Sequence, residues 1–345
     1  MRHTPIIAYL GNSLTVQKNG YRPQLHLLLE KQFGESIQQI NAGLGGMGSL
    51  ACSGLIDLLV LRHRPQLCLV ECSAADMLGA TPSSQVGGSI ETILRGLLEN
   101  EVEPLLLHLP LQNEPKQIQF TLDAYKKVAE QYCINTISLW NRWIPHAGAL
   151  LKDGIHLNSK GGLEVAQEIL SLFDLNLIQG RDWSPLPDPL NVDRTQWLAS
   201  AAKDPQITPT AACRISSFRL TLPLLEIPVG HHVIIQPLTG ASITGLLVVA
   251  DNQSGVVKLS NDASKESVQI YDQWCEKPRL QIILLDPTIK GALKLSMTNS
   301  STADRNCRYK EAPMVNSGTV LRFIGATFSG LPPKRNSQWW QHYSR

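Results

Sequence analysis

From Ile6 to Phe173 the chain alternates short apolar runs with longer amphipathic ones, and that alternation constrains its fold more than any other feature. The runs Ile6–Leu10, Ser36–Asn41, Gln66–Glu71, Pro104–Leu109 and Asn135–Leu139 have the length and composition of buried strands. Helical patterns occupy Pro23–Phe33, Leu50–Arg62, Ile90–Glu99, Phe120–Tyr132 and Leu163–Phe173. Strands and helices alternating at this spacing form a parallel sheet covered on both faces, because each crossover lays its helix back on the sheet. In such sheets functional groups gather at the carboxyl ends of the strands. Gly11-Asn12-Ser13-Leu14, the glycine loop Gly43–Gly48, Glu71–Asp76 and the loop Asp153-Gly154-Ile155-His156 all follow strands, so they are expected to meet at one edge.

The pattern changes after the last helix. Residues 179–210 are rich in Pro, Asp and Trp, the composition of a linker or packed connector. Beyond it, Phe218–Leu222, His232–Pro237, Gly245–Ala250, Val256–Ser260, Ser267–Tyr271, Leu280–Leu285, Ala292–Met297 and Thr319–Phe323 read as short strands separated by turn residues. They point to a β-sandwich or jelly roll. The expected organisation is an α/β unit over 1–178, the connector over 179–210 and a smaller all-β domain over 211–345; 345 residues suffice for two cores.

A net charge of +2 and the lack of Lys/Arg runs interleaved with aromatics exclude the electrostatic footprint of nucleic-acid binding. No apolar run approaches the length of a membrane span. Pro5 is followed at once by the first strand, without a signal-peptide pattern, so the chain reads as cytoplasmic; it reads as secreted if Met1 is an added start. The 7 cysteines are odd in number and scattered, without zinc-like spacing. Cys52, Cys68, Cys72 and Cys133 fall in apolar runs and read as buried free thiols, while spacing alone leaves a Cys275–Cys307 pair open.

Asp153 and His156, three residues apart before a helix, can sit side by side. The carboxylate can then orient the imidazole, and the imidazole can take a proton from a nucleophile. Ser13, just after the first strand, is the candidate nucleophile. Each segment alone has a plainer reading, as a turn or a helix cap; the two in register at the ends of one α/β unit favour chemistry. The glycine loop offers a rival, because Gly43-Leu44-Gly45-Gly46-Met47-Gly48 satisfies G-x-G-x-x-G and Glu71 ends the next strand, where a ribose-binding acid belongs. That fingerprint usually follows the first strand of its sheet, however, and here it follows the second. It also leaves Ser13 and the Asp153–His156 loop unexplained. His108 and the remaining histidines show no partner pattern. Trp140 and Trp143 read as core residues, with a place in the pocket wall as the alternative.

With these residues in view, about the first 175 residues resemble the SGNH/GDSL hydrolases. The resemblance implies a three-layer α/β/α fold and ester hydrolysis without metal or cofactor. It implies Ser13 as nucleophile, His156 as base, Asp153 as its partner, and the amides of Ser13 and Gly46 (alternatively Gly45) as oxyanion donors. The family's Gly-Asp-Ser has Asn12 at its centre here. Its Gly-x-Asn-Asp block, which carries a further oxyanion donor, reads Ser73-Ala74-Ala75-Asp76, with Ala75 at the Asn position. Losing one such donor typically costs about 100- to 1,000-fold in rate. Ser73 is a candidate substitute, and Asn12, Gly45, Ser73 and Asp76 are expected beside the substrate, Asp76 as a helix cap or turn former rather than a catalytic group. Glu71–Asp76 also resembles a variant of the block in polysaccharide-linked members. The implied function is a serine esterase removing an acyl group, acetyl first, from a carbohydrate or related small substrate. The alternatives are an O-acyltransferase with the same residues and a non-catalytic carbohydrate-binding or assembly protein, which Ala75 favours.

Overall fold

A computed structural model describes residues 4–34, 36–112, 118–140, 147–172, 186–190, 196–198, 209–215, 220–237, 240–251, 254–270, 278–300, 302–307 and 320–329. Its first half is a parallel sheet of β1 (Ile6–Gly11), β2 (Gln38–Gly43), β3 (Leu67–Glu71), β4 (Glu103–His108) and β5 (Asn135–Ser138), in the order β2-β1-β3-β4-β5. The order reverses at β1, which has β2 on one side and β3 on the other, and ligands bind beyond the carboxyl ends at such a switch point.

The helices are α1 (Ser13–Val16), α2 (Tyr21–Phe33), α3 (Ser49–Leu59), α4 (Ser73–Met77), α5 (Ser83–Leu98), α6 (Ile118–Gln131), α7 (Ala147–Leu150) and α8 (Ser159–Leu172). Side chains alternate across a strand, and the two faces of the sheet accordingly build two cores. Ile7, Tyr9, Leu69 and Leu107 pack with Leu25 and Leu29 of α2 and Val165 and Ile169 of α8. Ala8, Leu10, Val70 and Leu106 pack with Leu55 of α3, Ile90 and Ile93 of α5 and Val128 of α6. Trp140 belongs to the first of these cores; Trp143 lies outside the described residues.

The β region holds two further sheets. One has β13 (Arg279–Ile289), β10 (Ser242–Ala250), β16 (Val320–Ser329), β8 (Leu220–Pro228) and β7 (Pro209–Ile215) in that order, with β6 (Gln196–Leu198) pairing β16. The other runs β15 (Arg305–Asn306), β12 (Lys265–Gln269), β11 (Val256–Ser260), β14 (Leu293–Thr298) and β9 (His232–Ile235). Leu246, Val248 and Ile283 of the first sheet face Val257, Val268 and Leu295 of the second, which makes a sandwich. The opposite face of the first sheet is equally apolar: Leu247, Val249, Leu280 and Ile282 join the cluster of α3, α5 and α6. The layers therefore run α, β, α, β, β without a polar break. Gln85 Nε2 donates to Leu285 O at 3.5 Å across the junction, and the buried Glu91 carboxylate accepts from Leu190 N at 2.8 Å, fastening the connector.

Several elements depart from the sequence reading. Helix α5 begins at Ser83 rather than Ile90, because Gly87-Gly88 masks an apolar face that already includes Val86. Helix α4 fills part of the segment read only as a block, and β6, β7 and β15 are additional strands. Strands β8, β13 and β16 run further than expected. Cys52, Cys68 and Cys72 are buried free thiols, but Cys133 is exposed, at a left-handed position (φ 50°) after α6. Most of the 179–210 connector, with Phe173, Phe218, Tyr271, Thr319 and the Cys275 half of the open pairing, lies outside the described residues. No helix among the described residues is long and apolar enough to cross a membrane.

A continuous apolar core predicts one cooperative unfolding event. Leu247→Ala, at a fully buried position of the junction, should cost about 2–5 kcal/mol. In calorimetry the whole transition should move down together; a split into two transitions would show that the units melt independently.

Candidate active site

Ser13 is the first residue of α1, two residues beyond the carboxyl end of β1. The turn is held from behind by Asn12, whose Oδ1 accepts from Leu14 N at 2.9 Å and whose Nδ2 donates to Glu71 Oε1 at 3.2 Å and to Glu71 O at 3.3 Å. Glu71 is fully buried, and burial pushes its carboxyl up to about 8, against hydrogen bonds from the Asn12 side chain and the Ala74 amide. This accounts for Asn12: an aspartate there would place a second carboxyl within hydrogen-bond distance of Glu71, whereas the amide supplies an N–H. It also removes Glu71 from the ribose role considered for the glycine loop, since its side chain is enclosed behind the Ser13 turn.

The partner loop is organised by Asp153. Its Oδ1 accepts from Ile155 N at 3.2 Å and His156 N at 2.8 Å, which folds the four residues into a tight turn. Gly154 adopts φ 80°, a left-handed conformation that disfavours a side chain. Asn158 closes the loop by accepting from Gly161 N at 2.9 Å, at the start of α8, and donating to Ala149 O at 2.8 Å. Gln17 Nε2 donates to Leu157 O and ties this loop to the end of α1.

The result is a chain of hydrogen bonds: Asp153 Oδ2 to His156 Nδ1 at 2.9 Å, and His156 Nε2 to Ser13 Oγ at 2.8 Å. With Nδ1 donating to the carboxylate, Nε2 is the lone-pair acceptor facing the hydroxyl. Asp153 is half exposed. The desolvation that would raise its carboxyl is outweighed by hydrogen bonds from the His156 amide and ring, which hold it below the usual aspartate value.

Gly46 sits at φ 72° in the turn closed by Met47 N to Leu44 O at 2.9 Å. It lines one cavity of about 370 Å³ together with Asn12, Ser13 and His156. Gly45, the alternative donor, is not part of that wall. Ala75 stands in the wall beside Ala74 and Leu78, and the β domain completes it with Ile282, Leu284 and Cys307.

Two expected neighbours of the substrate face elsewhere. Ser73 is fully buried and shares a 2.9 Å hydrogen bond with His108 Nδ1, so its hydroxyl does not replace the missing amide at Ala75. His108 packs edge-on against Tyr125, and burial lowers its pKa to about 4, which keeps it neutral. Asp76 is also fully buried. It accepts from Ser49 N at 2.8 Å, from Thr81 Oγ1 at 2.5 Å and from Tyr125 O–H at 2.8 Å, and so caps α3 from a distance. Sequence reasoning gave Asp76 as a cap or turn former but missed its partners, the Ser73–His108 pair and the β-domain residues that complete the wall. Only the wall left a trace, since Leu280–Leu285 is apolar at nearly every position and so belongs to a strand buried on both faces.

The sheet order, the Ser13 turn after β1 and the Asp-x-x-His loop before α8 give the chain the fold of the SGNH/GDSL hydrolases, here with a C-terminal β domain. No protein-family model and no curated protein matches the sequence. Among solved structures, a two-domain esterase (CEX) active on acetylated mannans is similar at a TM-score of 0.64 and 16% identity, covering 94% of this chain and 91% of that one. The same esterase co-crystallised with mannopentaose gives a TM-score of 0.66 at 16% identity, covering 96% and 92%. A catalytic mutant of an acetylxylan esterase from Geobacillus stearothermophilus is similar over 53% of this chain and 98% of its own, at 15% identity and a TM-score of 0.43. At 16% identity the likeness to the two-domain esterase is one of fold, and it extends through both units.

The buried Glu71 has a measurable signature. Between the ordinary 4.5 and about 8, the folded protein holds a proton that the unfolded chain has released, so this group's contribution makes stability fall as pH rises through that window and level off above it. Glu71→Gln keeps an acceptor for Asn12 and removes the titration. Its melting temperature relative to wild type should therefore climb from about pH 5 to about pH 8; a pH-independent difference would contradict a protonated Glu71.

Proposed function

We propose that this protein is a serine esterase that removes an acyl group from a carbohydrate or a related small alcohol through an acyl-enzyme on Ser13. The observation that carries the reading is the Asp153–His156–Ser13 chain of hydrogen bonds ending in the wall of a cavity at the switch point of the sheet. In this scheme Ser13 Oγ attacks the ester carbonyl carbon while its proton passes to His156 Nε2, and Asp153 holds the imidazolium. The tetrahedral oxyanion is stabilised by the amides of Ser13 and Gly46. Collapse breaks the bond to the alcohol, which takes the proton from His156. Water, deprotonated by the same imidazole, then releases the carboxylic acid and restores Ser13. With Ala75 in place of an amide side chain and Ser73 turned inward, the oxyanion is held with one donor fewer than in the family pattern. A carbohydrate as the alcohol is supported by the two-unit likeness to an esterase active on acetylated mannans.

Hydrolysis of p-nitrophenyl acetate tests the nucleophile. Ser13→Ala and His156→Ala should each lower kcat/KM by about 1,000-fold or more, and the double variant should be little worse than either, because the pair acts as a unit. Labelling of Ser13 by a fluorophosphonate without ester turnover would move the reading to an acyltransferase. Neither labelling nor turnover would leave a non-catalytic binding protein.

A further inference from the structure

The cavity beside Ser13 is unlike a sugar subsite. A pyranose presents hydroxyls on every edge and needs directional polar partners, commonly with a flat aromatic face. Among the described residues the polar side chains in the wall are Asn12, Ser13 and His156, and Asn12 is already engaged by Leu14 and Glu71. The other described side chains of the wall are apolar, among them Ala74, Ala75 and Leu78 from the α/β unit and Ile282, Leu284 and Cys307 from the β domain. At about 30 Å³ per water-sized position, roughly a dozen such positions fit in the cavity of about 370 Å³. An acetyl methyl group fills one of them.

On the serine-esterase reading above, we propose that this cavity is the acyl subsite and that the natural ester carries an aliphatic acyl chain longer than acetyl, with the alcohol lying outside it. The α/β unit supplies the nucleophile and one wall, and β13 supplies the opposite wall. The reaction is unchanged by chain length: the acyl carbonyl carbon bonds to Ser13 Oγ, the bond to the alcohol breaks, and water releases a longer carboxylic acid. The β domain is therefore a specificity element for the acyl group. Leu78, with 52% of its surface exposed, stands at the rim and can take a larger side chain there, whereas Leu284 is partly buried and packs against the apolar cluster of the junction.

The test is the kcat/KM for p-nitrophenyl acetate and hexanoate, in wild type and in Leu284→Trp and Leu78→Trp. Each methylene fitted into an apolar pocket can be worth about tenfold, so wild type should favour hexanoate by about tenfold or more. Leu284→Trp narrows the cavity and should reduce the hexanoate-to-acetate ratio about tenfold, with Leu78→Trp reducing it less. Both substrates report on the same folded fraction, so partial unfolding of a variant does not disturb the ratio. A Ser13-dependent preference for acetate in wild type, or a ratio unmoved by Leu284→Trp, overturns the acyl-chain proposal and leaves the esterase standing. Turnover of neither ester, or equal turnover by Ser13→Ala, overturns both.

Discussion

The 2.8 Å hydrogen bond from Ser13 Oγ to His156 Nε2 joins groups 143 residues apart, and most of the architecture of the α/β unit is needed to make it. Ser13 is placed by β1, which lies between β2 and β3 at the reversal of strand order. His156 arrives on a loop whose position depends on α8, and α8 packs with α2 on the same face of the sheet, through Val165, Ile169, Leu25 and Leu29. A shift of about 1 Å in that packing would separate donor and acceptor and cost about 100-fold in a positioned reaction. The local devices around His156 serve this one distance. Asp153 folds the turn, Asn158 fixes the start of α8, and Gln17 bridges α1 to Leu157.

Directly behind Ser13 the protein keeps two fully buried carboxyl groups, Glu71 and Asp76. Buried carboxyls are tolerated only when neutralised or fully hydrogen-bonded, and the two are handled differently. Glu71 is kept largely protonated near neutral pH by burial and is partnered by an amide, Asn12. Burial also raises Asp76, against hydrogen bonds from Thr81, Ser49 and Tyr125. Together they link the turn after β1, the start of α3, helix α4 and helix α6 through groups with little freedom to relax, so the segments that meet at the switch point are cross-braced beneath the surface where chemistry is proposed.

What the sequence makes visible divides along physical lines. The strands of the parallel sheet are legible because both their faces are buried, which leaves runs such as Ile6–Leu10 with hardly a polar residue, and the Asp153–His156 turn because its chemistry is contained in four consecutive residues. Helix α5 is half hidden because Gly87-Gly88 interrupts its apolar periodicity, and tertiary burial of Val86 and Ile90 overrides that local weakness. Ser73 reads as a candidate oxyanion group because it lies in the block that has Ala75 at the Asn position. Its burial against His108 arises from a contact between residues 35 apart, which no local pattern announces. The pairing of Asn12 with Glu71 is hidden for the same reason, being 59 residues apart. The β-domain wall is hardest to anticipate, because it depends on which face of a second sheet turns toward the first unit.

The two departures from the SGNH/GDSL pattern have different physical standing. Asn12 is compensated by Glu71, so the Ser13 turn keeps a closed set of hydrogen bonds. Ala75 is not compensated by Ser73, and its surroundings are aliphatic. An amide side chain at that position would leave polar atoms without partners whenever an aliphatic chain lay against them, at a cost of about 1–3 kcal/mol per unsatisfied group. On the acyl-pocket proposal, the same substitution that removes an oxyanion donor makes the wall continuous for such a chain. Catalysis would then draw more on binding energy from the part of the acyl group remote from the carbonyl, spent in holding that carbonyl against Ser13, and less on the oxyanion site itself. Ile282 and Leu284 supply the far side of that wall, which gives the junction between the two units a chemical role in addition to its burial of apolar surface.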